Sequence, residues 1–209
     1  ENKVKRVVFA SSSSVYGDSE KLPQSEGQLP QPVSPYAATK LAGEHYCRVF
    51  AKSYGLETVA LRYFNVFDPR QSLESEYAVV IPKFITCILG GEQPPVHGDG
   101  KQSRDFTYVD NVVDANLTAA TREGVSGEVF NVACGKGYNL LDLIRVINEI
   151  TGKDVLPRFE ASRPGDVKHT LSDITRMKER LKLDPKVDFI QGLRKTVEYF
   201  SVKRAAGGR

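Results

Sequence analysis

The chain has 209 residues, enough to bury a hydrophobic core in one or two lobes. Its net charge of +3 is small, and Lys and Arg stand singly among Asp and Glu, a solvated-surface pattern that argues against nucleic acid as a partner. Apolar content is ordinary for a globular protein, and no apolar run is long enough to span a membrane, nor is a signal-peptide pattern present, so a cytoplasmic protein with no membrane partner is expected.

The first predicted element is a β-rich run over residues 5–10, consistent with a buried parallel strand. It delivers a serine run, Ser11 to Ser14, at its C-terminal end, where open α/β sheets place their ligands. Residues 22–35, rich in Pro, Gln and Ser, read as a loop. A helix follows from Pro35 and Tyr36 to about Ser53, closed by Gly55, with a wide stripe of Ala37, Leu41, Ala42, Tyr46, Val49 and Phe50. Residues 57–63 form the next strand, with Phe64 and Asn65 at its end. A polar loop reaches Tyr77, a helix over residues 79–89 ends at Gly90-Gly91, and residues 95–97 read as a short edge strand. Phe106 to Val109 leads into a helix capped by Asp110 and running to about Arg122, and residues 128–132 return a strand. Asn139 is a good N-cap with Asp142 at the third helical position, in a helix that stops at Gly152. A strand over residues 155–159, a short helix capped by Asp173 and an amphipathic helix over residues 189–200 complete the chain. Strands alternating with helices mean α/β. Cys47, Cys87 and Cys134 have no metal-ligand spacing and read as reduced thiols.

The densest chemistry lies in SPYAATKLAGEHY, where Tyr36 and Lys40 stand four residues apart and so share one helix face. An ammonium beside a phenol favours the phenolate, and such a tyrosine can take a proton from a sugar hydroxyl. A serine hydroxyl at the end of a neighbouring strand can hold that same hydroxyl. Together these residues suggest an alcohol oxidised to a ketone, with a nicotinamide accepting the hydride. A Tyr-x-x-x-Lys pair alone occurs in many helices; the order of strand, serine run, Val15-Tyr16-Gly17, proline-containing loop and helix is the specific signal.

FASSSSVYGD, SPYAATKLAGE, LRYFNVF, GDGKQSRDFTYVDN and RPGDVKHTLSD resemble, in order, the landmarks of the extended short-chain dehydrogenases/reductases, and within them the nucleotide-sugar epimerases. The resemblance implies the C-terminal part of a Rossmann-type doubly wound parallel sheet plus a smaller α/β substrate-binding lobe. Residues 1–65 would belong to the NAD-binding domain and residues 66–209 mainly to the lobe, with a segment of about 105–135 returning to the sheet. No strand here is followed by the Gly-x-x-Gly-x-x-Gly turn that lets a backbone approach a pyrophosphate, so the chain looks like the C-terminal two-thirds of such an enzyme. A non-catalytic nucleotide-sugar-binding fragment therefore stands as an alternative.

The resemblance also implies roles. Tyr36 would be the general acid/base, Lys40 would hold the nicotinamide ribose, and Ser12 would hydrogen-bond the sugar 4-hydroxyl. Tyr63 and Phe64 would meet the NAD. Ser13 and Ser14 occupy positions where similar dehydratases carry Asp-Glu and related decarboxylases a Glu at the second, so elimination is disfavoured. Asn65, Arg104 and Arg163 would bind the diphosphate of a UDP-sugar, arginine suiting this through its bidentate fork. Asp166 would take the uridine ribose, while Val80, Pro95, Val96 and His97 would enclose uracil. Thr170 falls near the position that gates the sugar pocket, where a small residue suggests room for a 2-acetamido group. Asp68 stands where glycine is usual, which would be uncomfortable if φ there were positive. The expected activity is 4-epimerisation of a UDP-hexose through a 4-keto intermediate, by a homodimer pairing through the Tyr36 helix. UDP-glucuronate epimerisation, dehydration and decarboxylation are the neighbouring alternatives.

Overall fold

The computed structural model describes residues 3–19, 21–72, 80–162 and 168–206. The strands are β1 (Arg6–Ser12), β2 (Glu57–Tyr63), β3 (Val66–Phe67), β4 (Pro95–His97), β5 (Ser103–Asp105), β6 (Thr107–Tyr108), β7 (Glu128–Val132), β8 (Gly137–Asn139) and β9 (Arg158–Glu160). The α-helices are α1 (Pro35–Tyr54), α2 (Val80–Gly90), α3 (Val109–Thr121), α4 (Leu140–Thr151) and α5 (Phe189–Ala205).

Strands β1, β2 and β7 form a parallel sheet in the order β1-β2-β7. The central strand β2 is buried from Thr58 to Arg62, as parallel strands covered on both faces are. Its alternation separates the two faces. Val59 and Leu61 pack with Val112, Ala115 and Ala119 of α3, whereas Thr58 and Arg62 bond to Cys47 and Glu44 of α1. Helix α1 starts because the Ser34 hydroxyl accepts the Ala37 N–H and Pro35 needs no N–H partner, and it ends where Gly55 turns left-handed at φ 68°. Gly43 lets α1 lie close on β1, since a Cβ there would collide with the Phe9 ring.

The second core lies among α2, α4 and α5, around Phe84, Ile85, Ile144, Ile147, Leu193 and the aromatic group Phe67, Phe106 and Phe189. Short strand pairs join its segments: β3 with β6 and β4 with β9, both parallel, and β5 with β8 antiparallel. The Asn139–Asp142 capping box forms as the sequence predicts.

Four local expectations change. Strand β1 extends to Ser12, so the first two serines belong to it. The N-cap of α3 is Tyr108, without a side-chain bond, and Asp110 sits inside the first turn. Residues 155–157 are not a strand, because the Asn148 side chain takes both the N–H and the carbonyl of Val155 at the end of α4; β9 begins at Arg158. Helix α5 runs past Phe200 to Ala205. Asp68 is outside the positive-φ region, and its carboxylate accepts the Arg70 N–H at 2.6 Å, so the replacement of glycine costs no backbone strain. Among the described residues, no helix is long and apolar enough to cross a membrane.

Candidate active site

Parallel pairing sets Ser12 opposite Tyr63, so the carboxyl ends of β1 and β2 deliver Ser12 and the Phe64-Asn65 turn to the same end of the sheet. Ser12 is extended and caps a 3₁₀ turn over Ser13–Tyr16. Its Oγ accepts from the Ser14 N–H at 3.2 Å and from the Ser14 hydroxyl at 2.9 Å. With two donors received, the Ser12 proton is left to donate outward. Ser13 and Ser14 are half-buried in the turn.

Tyr36 and Lys40 lie on the face of α1 turned to this strand end. The Lys40 ammonium donates to the Ala10 carbonyl at 2.9 Å and stands 5.5 Å from the centroids of both the Tyr36 and Phe9 rings. Tyr36 is 50% exposed, so its ring remains accessible from solvent. Lys40 retains two further N–H groups beyond the bond to Ala10. Tyr63 sends its side chain the other way, its hydroxyl donating to Asn116 of α3 at 3.0 Å. Phe64 is fully buried against Tyr16 and its N–H donates to the Val132 carbonyl at 3.1 Å.

A cleft of about 250 Å³ brings together Asn65, Val80 and Arg104, with Phe67, Ile81 and Phe106 on its apolar side. Asn65 sits at φ 35°, and its Nδ2 donates to the Asp105 carbonyl at 3.3 Å and to the Thr170 hydroxyl at 3.1 Å. Because a carbonyl only accepts, the amide orientation follows from this pair and Oδ1 points elsewhere. Arg104 donates to the Ser103 and Lys168 carbonyls at 2.9 and 3.2 Å. Thr170 is seated by its N–H to the Ser103 carbonyl at 3.0 Å, and its hydroxyl is engaged by Asn65 rather than projecting freely.

Pro95, Val96 and His97 form β4 and do not line that cleft. The Val96 side chain is wholly inside the second core; alternation along β4 puts it on the face opposite Pro95 and His97. His97 meets the Ala161 carbonyl at 3.2 Å and the Glu160 carboxylate at 3.5 Å. Arg163 and Asp166 lie outside the described residues.

Two buried polar groups escaped the sequence reading. Beneath the serine strand, Glu44 accepts from Ser11 and from both Nε and Nη2 of Arg62, at 2.8 and 2.7 Å for the arginine. Arg62 stacks 4.7 Å from the Tyr16 ring centre, and the Tyr16 hydroxyl donates to Asn131 at 2.7 Å. Burial pushes the Tyr16 phenol up to about 12. An arginine directly after the apolar run Val59-Ala60-Leu61 was the available signal, since a buried guanidinium requires a partner. Under the cleft, the Asp105 carboxylate accepts the N–H groups of Cys134, Gly135 and Ser172 at 3.0, 2.9 and 3.2 Å. Burial nevertheless pushes it up to about 6, against those bonds.

A parallel sheet covered on both faces, with Ser12 at the carboxyl end of β1 and Tyr36 and Lys40 on the helix packed against it, defines an α/β protein of the dinucleotide-binding type. Residues 1–133 match the NAD dependent epimerase/dehydratase family, and the chain belongs to that family. It is 38% identical over 201 residues to a UDP-glucose 4-epimerase of Mycolicibacterium smegmatis, covering 96% of this chain and 64% of the relative. Among solved structures it is similar to a UDP-N-acetylglucosamine 4-epimerase from Methanobrevibacter ruminantium M1 in complex with UDP-N-acetylmuramic acid, with TM-score 0.91, 45% identity and coverage of 97% of this chain and 64% of that one. A Thermotoga maritima UDP-glucose 4-epimerase with UDP-glucose gives TM-score 0.91 and 41% identity, covering 97% and 65%. The chain thus spans just under two-thirds of the length of these relatives.

Proposed function

We propose that this chain carries the catalytic and sugar-binding part of an NAD-dependent UDP-hexose 4-epimerase, acting on the UDP-glucose/UDP-galactose pair and, with a small residue at position 170, on the N-acetylated pair. The observation that carries the reading is the convergence of Ser12, Tyr36 and Lys40 at one end of the sheet, with unused donors on Ser12 and Lys40. These donors fit the nicotinamide end of NAD, Lys40 offering two N–H groups to ribose hydroxyls. The sequence contains no Gly-x-x-Gly-x-x-Gly pattern of the kind that cradles a pyrophosphate. NAD held there would supply the hydride acceptor, and then the hydride donor, for carbon 4 of the sugar.

The Ser12 hydroxyl donates to the sugar 4-oxygen and fixes its direction. The Tyr36 phenolic oxygen takes the 4-hydroxyl proton as the ketone forms and returns it when the sugar has turned its other face. Arg104 and Asn65 line the cleft proposed for the diphosphate, with Arg163 and Asp166 assigned there by family likeness alone. Ser13 and Ser14 are neutral hydroxyls, neither acid nor base, which favours epimerisation over dehydration or decarboxylation. The exposed Tyr46, Val49, Phe50 and Tyr54 of α1 support pairing of two copies through this helix. The half-buried free thiols of Cys47, Cys87 and Cys134 fit a reducing, cytoplasmic setting.

The test is an assay of the purified protein with NAD and either UDP-glucose or UDP-N-acetylglucosamine, scoring the 4-epimers. Turnover that falls about 10²–10⁴-fold in Tyr36→Phe is expected for a lost general acid/base. No turnover and no bound NAD in the wild type would leave the alternative, a nucleotide-sugar-binding unit that is not itself an enzyme.

A further inference from the structure

Tyr36, Lys40 and Glu44 recur at intervals of four residues along α1, so one helix face carries all three. The second and third of them meet consecutive residues of β1: Lys40 bonds the Ala10 carbonyl, and the Ser11 hydroxyl donates to Glu44. The next residue of that strand is Ser12. Glu44 also grips Arg62 of β2 through two parallel N–H bonds, and Arg62 stands directly opposite Ser11 in the strand register. All three partners are almost wholly buried. From Arg62 the contacts continue through Tyr16 to Asn131 of β7, whose Nδ2 donates to the carbonyls of Gln24 and Asp173.

Apolar packing is non-directional, so it leaves a helix some freedom to roll or slide on a sheet. A carboxylate that accepts a bidentate guanidinium and a serine hydroxyl has one geometry. We infer that Glu44 is a positioning residue that fixes the roll and slide of α1 on the sheet, so that Tyr36 and Lys40 stand against Ser12. Its catalytic consequence rests on the epimerase reading above; its structural consequence does not.

The experiment compares wild-type protein with Glu44→Gln and Ser11→Ala in two readouts. The first is kcat and KM with NAD and UDP-glucose or UDP-N-acetylglucosamine. Because an active-site group displaced by about 1 Å can lose about a hundredfold in rate, kcat of Glu44→Gln should fall roughly 10- to 100-fold while KM moves less than about threefold. Ser11→Ala, which removes one bond and leaves the ion pair, should lower kcat by a few-fold, on the order of a single hydrogen bond. The second readout is amide hydrogen exchange without substrate. Exchange should accelerate about tenfold or more in the amides of residues 36–44 and stay unchanged in α4, a local loosening rather than global unfolding.

A folded Glu44→Gln protein with wild-type kcat, or one that loses activity through KM alone, overturns the inference. So does exchange that rises uniformly over the molecule, the signature of a pair that only stabilises the fold. If Glu44→Gln does not fold, Ser11→Ala decides, and wild-type kcat and exchange in that variant overturn the proposal. If the wild type turns over neither sugar, the epimerase reading fails and the exchange pattern alone judges the positioning role.

Discussion

Glu44 and Asp105 are both buried carboxylates, 5% and 0% exposed, but the three-stranded sheet and the segments around Asp105 hold them by different means. Glu44 faces a guanidinium and a hydroxyl contributed by side chains of β2 and β1. Asp105 faces backbone N–H groups of residues 134, 135 and 172, with no cation among its hydrogen-bond partners within the described residues. The first arrangement ties a helix to a sheet and depends on two side chains, Arg62 and Ser11. The second ties loop segments together, spreads its dependence over several amides that no side-chain truncation removes, and leaves the charge itself costly. Side-chain pairing thus suits the rigid part that carries Ser12, Tyr36 and Lys40. Backbone pairing suits the irregular segments that bring Thr170 to Asn65.

The largest effect that could break this comparison comes from the cation. Arg62→Met keeps much of the side-chain volume but leaves Glu44 buried without its charge partner, which should cost about 3–5 kcal/mol in urea denaturation. A cost below about 1 kcal/mol would mean that Glu44 finds water or another donor, and the directional anchoring would be lost as an idea. A smaller loss is expected at the other carboxylate. Asp105→Asn keeps one acceptor and turns an NH₂ toward the amide N–H groups, so about 1–3 kcal/mol should go, matching the penalty for unsatisfied buried donors. A variant as stable as wild type would show that those amides find other acceptors.

Which parts were legible in the sequence follows from the same contrast between local and distant partners. Helix α1 was readable from Pro35 and Gly55, α4 from its capping box, and the Tyr36–Lys40 pair from a spacing of four residues. All of these are decided within one or two helical turns. Glu44 and Arg62 are 18 residues apart, Tyr16 and Asn131 are 115 apart, and Asn65 and Thr170 are 105 apart. Nothing in a single sequence pairs such residues; only the packing of distant elements does. Strands β3, β5, β6 and β8 have two or three residues each, too few for a period to register. The burial of the Val96 side chain in the core follows from the alternation of β4, a strand of three residues.

The smallest effect sharpens the comparison by its sign. Asp105 rises from 3.8 to about 6 in the folded protein, through burial. Between those values the folded state binds more protons than the unfolded one, so the stability that Asp105 contributes falls as pH rises from about 4 to about 6. Glu128 behaves oppositely: burial raises it, but its bonds to Arg176 and Arg180 outweigh burial and hold it below the usual carboxylate range. Its contribution is present above the unfolded value and is lost as pH falls through its folded value. The total pH profile mixes both signs, so the measurement is the difference between wild type and Asp105→Asn, by urea denaturation at pH 4.5 and pH 7. The advantage of wild type over the variant should be greater at the lower pH, by on the order of 1 kcal/mol once local relaxation has taken up part of the shift. Parallel profiles would mean that the three amide donors fully offset the burial of the charge, and that backbone N–H groups solvate a carboxylate as well as the arginine beside Glu44 does.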